Sequence, residues 1–202
     1  YDGIGTFCHE YGHVLGLPDL YATSYTLAFT PGAYSLMDYG SYNNNSRTPP
    51  ALSAYERYEL NWLEPIAIEP TDTIVQLPHI MDSNMAYIIR VGRSSNEYFL
   101  LENRQQTGWD EYIPGHGMLV WHVDYNTSVW NMNTVNNDPD HQYVDIEEAD
   151  DIQSESTQDG DPFPGVSNVT MIDDDTSPSL KSWNGNRTER RISEITETDG
   201  LI

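Results

Sequence analysis

Two histidines near the start of the chain, His9 and His13, are four residues apart, and Glu10 directly follows the first. Residues at i and i+4 lie on one face of a helix, so both imidazoles can reach one metal ion. Glu10 is rotated away from that pair, toward the open coordination position. A carboxylate there can take a proton from a metal-activated water and later deliver it to a leaving amine. The spacing therefore predicts a hydrolytic metal site on a helix.

Catalytic zinc typically has three protein ligands, so a third donor is needed. Asp19 lies beyond Gly16, whose freedom to adopt a positive φ lets the chain turn sharply and bring Asp19 back to the ion. Asp19 could instead only cap that turn. The rival third ligand is Glu102, because a carboxylate flanked by leucines needs a partner if it points inward. The predicted metal ligands are His9, His13 and Asp19, with Glu102 left open as the alternative.

The segment Ser35-Leu36-Met37-Asp38-Tyr39 follows within twenty residues of Asp19. Met37 under the metal site would give the imidazoles an apolar, polarizable floor, although a methionine is more often simply part of the core. The Tyr39 hydroxyl can donate a hydrogen bond to the oxyanion of a tetrahedral intermediate. Glu10 and Tyr39 are therefore the predicted catalytic residues.

Two helices are expected to position these groups. Apolar residues recur at intervals of three and four from Ile4 to Leu15, which predicts a helix over residues 2–15 with Asp2 as its N-cap. Gly16 and Pro18 should end it. A second helix is predicted to begin at residues 48–50, because proline is tolerated in a first turn, and to end at Pro65.

After Pro70 the pattern changes to short segments rich in β-branched and aromatic residues, separated by turn residues. The predicted strands cover residues 74–77, 86–91, 98–103, 118–124, 143–146 and 191–195. Residues 92–96 are expected to form a hairpin connection, and residues 150–190 long loops. The pattern predicts an α+β chain with two parts, residues 1–66 and an antiparallel, sandwich-like β-rich region at 67–202.

Three further residues deserve a prediction. His116 and His122 are an even number of positions apart and should share one face of a strand. They are interpreted as a polar strand face or hydrogen-bonded structural histidines, with a role near the cleft as the alternative. Cys8, the single cysteine, is expected on the buried side of the first helix.

Composition excludes several classes of function. The 202 residues carry a net charge of −23, from 9 Lys and Arg against 32 Asp and Glu, which argues against nucleic acid and anionic membranes as partners. No apolar run is long enough to span a bilayer. Carboxylates cluster between Asp138 and Asp175, and no Lys or Arg occurs between Arg104 and Lys181. This acidic stretch is either a solvated face or a set of calcium-binding loops.

Several segments resemble the immune inhibitor A-like family of secreted bacterial metallopeptidases. They are Gly5-Thr6-Phe7-Cys8-His9-Glu10-Tyr11-Gly12-His13-Val14-Leu15-Gly16-Leu17-Pro18-Asp19-Leu20-Tyr21 and residues 100–104, 115–122 and 182–185. Residues 35–39 are similar to the Met-turn of metzincin peptidases. The resemblance implies a zincin-like part-domain with an active-site helix, a Met-turn and a second helix. It also implies a secreted zinc endopeptidase acting on proteins or peptides, with His9, Glu10 and His13 in the family's roles.

One departure from the family affects the expected activity. In the zincin fold a sheet upstream of the metal-binding helix lines the substrate cleft, and here only eight residues precede His9. The chain is therefore expected to be a fragment with little or no peptidase activity alone. The alternative function is a non-catalytic β-sandwich binding module attached to a peptidase remnant. The sequence does not predict an oligomeric state.

Overall fold

The computed structural model describes residues 3–24, 27–70, 75–92 and 96–202. The helices are α1 (Ile4–Leu15), α2 (Asn43–Ser46), α3 (Ala54–Glu59), α4 (Ile80–Ser83) and α5 (Thr127–Asn131). The strands are β1 (Ile66–Ala67), β2 (Tyr87–Arg90), β3 (Glu97–Arg104), β4 (Gly117–Asp124), β5 (Val144–Ile146), β6 (Met171–Asp173) and β7 (Arg191–Ser193). Short 3₁₀ helices lie at Gly32–Tyr34, Tyr39–Tyr42, Gly108–Asp110 and Gln158–Gly160. The predicted α+β class is confirmed.

Helix α1 ends where the sequence predicts. Gly16 takes the left-handed conformation (φ 109°), and its N–H donates to the carbonyls of Gly12 and His13. At the other end the N-cap is Gly3, which makes no side-chain cap bond; Asp2, the predicted N-cap, lies outside the described residues.

The apolar residues of α1 face outward. Ile4, Phe7, Tyr11 and Val14 are each more than half exposed, and these four side chains form an apolar stripe along the helix. The side that packs on the protein carries Gly5, His9 and Gly12. Cys8 is partly buried against the core, on the side expected from the sequence. Two glycines and His9, rather than the apolar stripe, therefore pack this helix against the protein.

Helix α3 is shorter than predicted and begins later. Ser53 is its N-cap, and a capping box joins the Ser53 and Glu56 side chains to each other's backbone N–H. Thr48 and Pro49 each precede a proline, which disfavours the α conformation at both positions. The prediction that the helix begins at residues 48–50 and continues to Pro65 was wrong for this reason: the prolines delay its start, and it ends at Glu59, with Leu60 as its C-cap.

The main sheet has five strands in the order β1-β2-β3-β4-β5, and β6 pairs with β7 in a separate small sheet. Strands β2 to β5 are antiparallel, as expected, whereas β1 lies parallel to β2. Both β1 and β6 were missed from sequence. Residues 92–96 connect β2 to β3, with 93–95 outside the described residues.

One predicted strand is absent at its described positions. Residues 75–77 belong to no strand, and residue 74 lies outside the described residues. Leu77 instead exchanges two backbone hydrogen bonds with Ile202, at 2.7 and 3.2 Å. The backbone of Leu77 therefore pairs with Ile202 and not with a strand of the main sheet.

Apolar side chains cover both faces of the main sheet. One face, which includes Leu100 and Trp121, packs against residues from the helical first third, such as Met37 and Tyr55. The opposite face packs against the segment that follows β5, including Ile172 of β6. Loops and a two-stranded sheet thus cover this face, where a sandwich would place a second full sheet. The division between residues 66 and 67 remains a prediction. None of the helices in the described part of the chain has the length and apolar content needed to cross a membrane.

Candidate metal centre

The structure brings the three predicted ligands together. The Nε2 atoms of His9 and His13 each lie 3.2 Å from the Oδ1 atom of Asp19. The two imidazole rings are nearly perpendicular, with centroids 4.8 Å apart. Helix α1 supplies both histidines from adjacent turns, and the turn after Gly16 returns Asp19 to them.

Backbone carbonyls hold both imidazoles in the orientation that a metal needs. The Nδ1 atom of His9 lies 2.9 Å from the carbonyl of Leu36, and that of His13 lies 2.9 Å from the carbonyl of Leu17. An Nδ1–H that donates to a carbonyl leaves the Nε2 lone pair free to bind a metal. Both Nε2 lone pairs therefore point to the same place.

These donors fit a zinc ion. Asp19 Oδ1 is buried and has no hydrogen-bond partner, although buried carboxylate oxygens are normally paired. Zinc bonds of ~2.0–2.2 Å give a coordination tetrahedron an edge of roughly 3.4 Å, close to the 3.2 Å separations of Asp19 from both histidines. The structure therefore offers three convergent donors of the types that zinc prefers.

The charge state of the site also suits a cation. Burial raises the pKa of Asp19, but the adjacent His9 and the hydrogen bond from Asn133 outweigh this and lower it, so the carboxylate is ionised. Asp19 in turn is the main cause of a raised pKa at His9. The three side chains therefore form an electronegative site that favours a bound positive charge.

Met37 lies beneath α1, where the sequence predicts a floor for the site. Its side chain is fully buried, and a Cβ atom on Gly12 would lie 2.4 Å from its sulfur. Gly12 stands between the two histidines, so only a residue without a side chain lets the helix approach Met37 this closely.

A buried glutamate that sequence reasoning missed holds the Met37 turn. Glu56 accepts hydrogen bonds from the Ser35 hydroxyl (2.7 Å) and the Met37 N–H (3.1 Å). Its other oxygen accepts from the Ser53 N–H (2.6 Å) in the capping box of α3. The Ser53-x-x-Glu56 pattern was a visible signal for a cap, but not for this second role.

The remaining predicted residues lie around one cleft beside the metal donors. Its volume is about 290 Å³, and it is lined by Thr6, His9, Glu10, Tyr21, Asp38, Tyr39, Ser41 and Tyr42. Glu10 is exposed to solvent, and Tyr39 is half exposed. Glu10 and Tyr39 therefore line the same open space as His9.

Tyr21 is a second hydroxyl in this cleft, and the sequence analysis did not assign it a role. Its ring stacks on that of His9 with centroids 6.1 Å apart. Burial, with the nearby Asp19 charge, raises the pKa of Tyr21 to about 12, so it remains a hydrogen-bond donor at any physiological pH.

Glu102, the alternative third ligand, is fully buried elsewhere in the core. One carboxylate oxygen accepts from Trp121 Nε1 (2.7 Å) and Arg104 Nη1 (3.2 Å). The other oxygen accepts from the Ala54 N–H (2.8 Å). All of these partners belong to the protein, so the inward carboxylate has the partner it needs without a metal ion.

His116 and His122 do not line this cleft. His116 precedes β4 and is exposed, next to Glu197. His122 is buried within β4 between two glutamates. The interpretation of His122 as a hydrogen-bonded structural histidine is therefore confirmed.

Residues 1–64 match the family model of the immune inhibitor A peptidase M6, catalytic domain. Over this segment the chain is similar to the immune inhibitor A peptidase family. The resemblance seen in the sequence is thereby confirmed, and the matched segment contains all three metal donors, Glu10 and Tyr39. The match to the peptidase domain ends at residue 64, before β1. No curated protein matches the chain.

Proposed function

We propose that residues 1–64 carry the metal-binding half of a zinc-dependent endopeptidase site, with His9, His13 and Asp19 as the zinc ligands. The observation that carries this proposal is the convergence of their three donor atoms, with the Asp19 oxygen buried and without a hydrogen-bond partner. Glu10 and Tyr39 line the adjoining cleft. The family match supports peptide-bond hydrolysis as the reaction.

Zinc, when bound, supplies the Lewis acidity that makes water a competent nucleophile near neutral pH. The chain's own residues then handle protons and charge. The Glu10 carboxylate accepts the proton of the attacking water and delivers it to the leaving amine. The Tyr39 hydroxyl donates to the developing oxyanion, and Tyr21 offers a second hydroxyl in the same cleft.

The proposed substrates are proteins or peptides, and the proposed location is extracellular. We further propose that additional polypeptide covers the apolar stripe of α1 in the complete enzyme. Exposed apolar surface of this kind is typical of a packing interface. The 202-residue chain alone should therefore bind zinc but cleave substrates weakly or not at all.

Metal analysis of the purified chain tests the ligand assignment. The wild-type chain should retain one zinc ion per molecule, whereas His13→Ala and Asp19→Ala should lose it. His116→Ala is the matched control, because His116 is an exposed histidine outside the site. Full zinc retention in Asp19→Ala would reject Asp19 as a ligand.

Casein cleavage by the enzyme, together with the polypeptide proposed to cover α1, tests the catalytic assignment. Glu10→Gln should reduce kcat at least 100-fold and leave zinc content unchanged. Glu64→Gln makes the same change at another exposed glutamate and should leave kcat unaltered. Unchanged cleavage by Glu10→Gln would reject Glu10 as the base.

A further inference from the structure

Three carboxylates on the other side of the molecule are buried without partners. Asp145, Glu148 and Asp161 are 5%, 5% and 1% exposed. Both carboxylate oxygens of Asp161, Oδ1 of Asp145 and Oε1 of Glu148 are buried and accept no hydrogen bond. Buried polar atoms are normally satisfied, so four orphaned oxygens in one acidic cluster require an explanation.

The cluster lies where two segments meet. Asp145 is on β5, opposite His122 of β4, and Glu148 follows two residues after the end of that strand. Asp161 follows the 3₁₀ helix Gln158–Gly160, and its carbonyl accepts the Ala149 N–H at 2.9 Å. The three carboxylates therefore come together through a contact between residues 145–149 and 158–161.

In the described part of the chain no Lys or Arg pairs with these charges, and His122, the cation nearest Asp145, is itself paired with Glu97 and Glu147. Among the described residues, none of the three carboxylates forms an ion pair with Lys, Arg or His. Burial, followed by repulsion from neighbouring carboxylates, raises the pKa of Asp145 and of Asp161 to about 8. The same causes raise the pKa of Glu148 to about 10. Near neutral pH the cluster must therefore take up either protons or a cation.

We propose that Asp145, Glu148 and Asp161 bind one Ca²⁺ ion. Calcium takes six to eight oxygen ligands, and those include carboxylates, backbone carbonyls and water. Among the described residues, only the donors of His9, His13 and Asp19 all lie within 4.8 Å of one another. The ligand atoms of the three carboxylates therefore do not all lie within 4.8 Å of one another, and a calcium ion would bind some of them directly and the others through water.

A fourth carboxylate borders the cluster. Asp150 lies so close to Gly160 that a Cβ atom there would be 2.4 Å from Asp150 Oδ2. Gly160 thus leaves room for an additional acidic group beside Asp161, and the Asp150 charge contributes to the raised pKa of Asp161. This crowding of like charges is unfavourable unless protons or a cation neutralise them.

The calcium site would support the zinc site without being part of it. The carbonyl of Gln158 accepts the Tyr34 hydroxyl (2.6 Å), and the Gln158 amide donates to the Pro31 carbonyl (3.3 Å). Residues 31–34 lead directly into the turn that carries Met37. Calcium that fixes residues 158–161 would therefore also fix the chain entering that turn.

Calcium binding by the 202-residue chain is tested by equilibrium dialysis with ⁴⁵Ca²⁺ and by thermal unfolding in CaCl₂ or EGTA. The wild type should bind one Ca²⁺ per chain. At free Ca²⁺ of about 100 times Kd, the folded-to-unfolded ratio should rise about 100-fold. The same response should persist in His13→Ala, which places it outside the zinc site and makes it independent of peptidase activity.

Asp161→Asn gives the sharpest test, because it removes one buried charge. In EGTA this variant should have a higher Tm than the wild type, and CaCl₂ should no longer raise it. Asp140→Asn is the matched control, since it removes one exposed charge from the same acidic stretch and should behave as wild type. Glu148→Gln provides a second variant should Asp161→Asn fold poorly.

Three results would overturn the proposal. One is a wild-type chain that binds no ⁴⁵Ca²⁺, which would mean that protons neutralise the cluster. Another is a calcium response in both Asp161→Asn and Glu148→Gln that equals the wild-type response. A Tm that falls equally in EGTA and in CaCl₂ for both variants would likewise assign these carboxylates a purely structural role.

Discussion

Asn133 and Asp19 are joined by two hydrogen bonds, although they are 114 residues apart. The Asn133 amide donates to Asp19 Oδ2 (2.7 Å), and its Oδ1 accepts the Asp19 N–H (2.8 Å). The amide therefore fixes both the backbone and the carboxylate of the proposed third ligand. Outer-shell partners of this kind orient a ligand and tune its affinity for the metal.

Replacing Asn133 should weaken zinc binding without unfolding the chain. Asn133 has a left-handed backbone (φ 54°), so Asn133→Gly keeps the conformation and removes only the amide. We expect the zinc Kd to rise about 10- to 100-fold in competition with a chromogenic chelator. Asn61→Gly is the control, because Asn61 is also left-handed (φ 57°) but exposed after α3. An unchanged Kd in Asn133→Gly would show that Asp19 needs no support.

Substituting Glu102 should separate stability from metal binding. Glu102→Leu leaves the Trp121 Nε1–H and the Ala54 N–H without acceptors and takes one carboxylate from buried Arg104. Removing one member of a buried ionic network costs about 3–5 kcal/mol of unfolding free energy. Zinc content per folded chain should not change. The control is Glu111→Leu, which changes an exposed position and should lose little stability. If folded Glu102→Leu lost zinc, Glu102 would be a zinc ligand after all.

Adding one methyl group to Gly12 should disturb the floor of the metal site. In Gly12→Ala the new Cβ would overlap the Met37 sulfur, which is fully buried. Overpacking of this kind costs about 1–3 kcal/mol, measurable by urea unfolding. The double variant Gly12→Ala/Met37→Ala relieves the overlap and should be less destabilised than the sum of the two single variants. Strict additivity would contradict the contact.

Stability should fall in mild alkali because of His122. Burial lowers the pKa of His122, but hydrogen bonds to Glu147 and Glu97 outweigh it and raise the pKa to about 9. The unfolded value is ~6.5, so the folded state holds its proton more tightly. The stabilisation of the folded state by protonated His122 is complete below pH ~6.5 and is lost as pH rises through about 9. Its upper limit is roughly 3 kcal/mol of unfolding free energy.

Urea unfolding at pH 6.5 and pH 9.5 measures this loss. His122→Gln should reduce the difference between the two pH values, and the buried carboxylates Asp145, Glu148 and Asp161 should account for the remainder. His116→Gln should preserve the full difference, because His116 is exposed. An equally steep pH dependence in His122→Gln would assign the titration to another group.

The parts of the site that local sequence determines were predicted well. The i,i+4 spacing of His9 and His13 defines a helix face by itself, and Gly16 ends that helix through its own backbone freedom. Asp19 is close enough in sequence for one turn to return it to the histidines. These features need no information about distant parts of the chain.

Features that depend on distant contacts could not be predicted. The sequence around Asn133 does not indicate that it is a partner of Asp19. The capping pattern at Glu56 likewise does not predict its hydrogen bond with the Met37 N–H. Residues 75–77 have a strand-like sequence, but Leu77 forms its backbone hydrogen bonds with Ile202 and not with the sheet. In each case the interaction joins residues that are distant along the chain, so the sequence around either residue does not indicate the contact.

The burial of strand β3 determines which parts of the protein unfold locally and which do not. All eight of its residues are buried, and it bonds to β2 on one edge and β4 on the other. Its amide hydrogens should be the slowest to exchange with deuterated water, whereas those of α1, with one side against solvent, should exchange by smaller fluctuations. His9 and His13 can therefore separate through fraying of their own helix while the sheet stays intact.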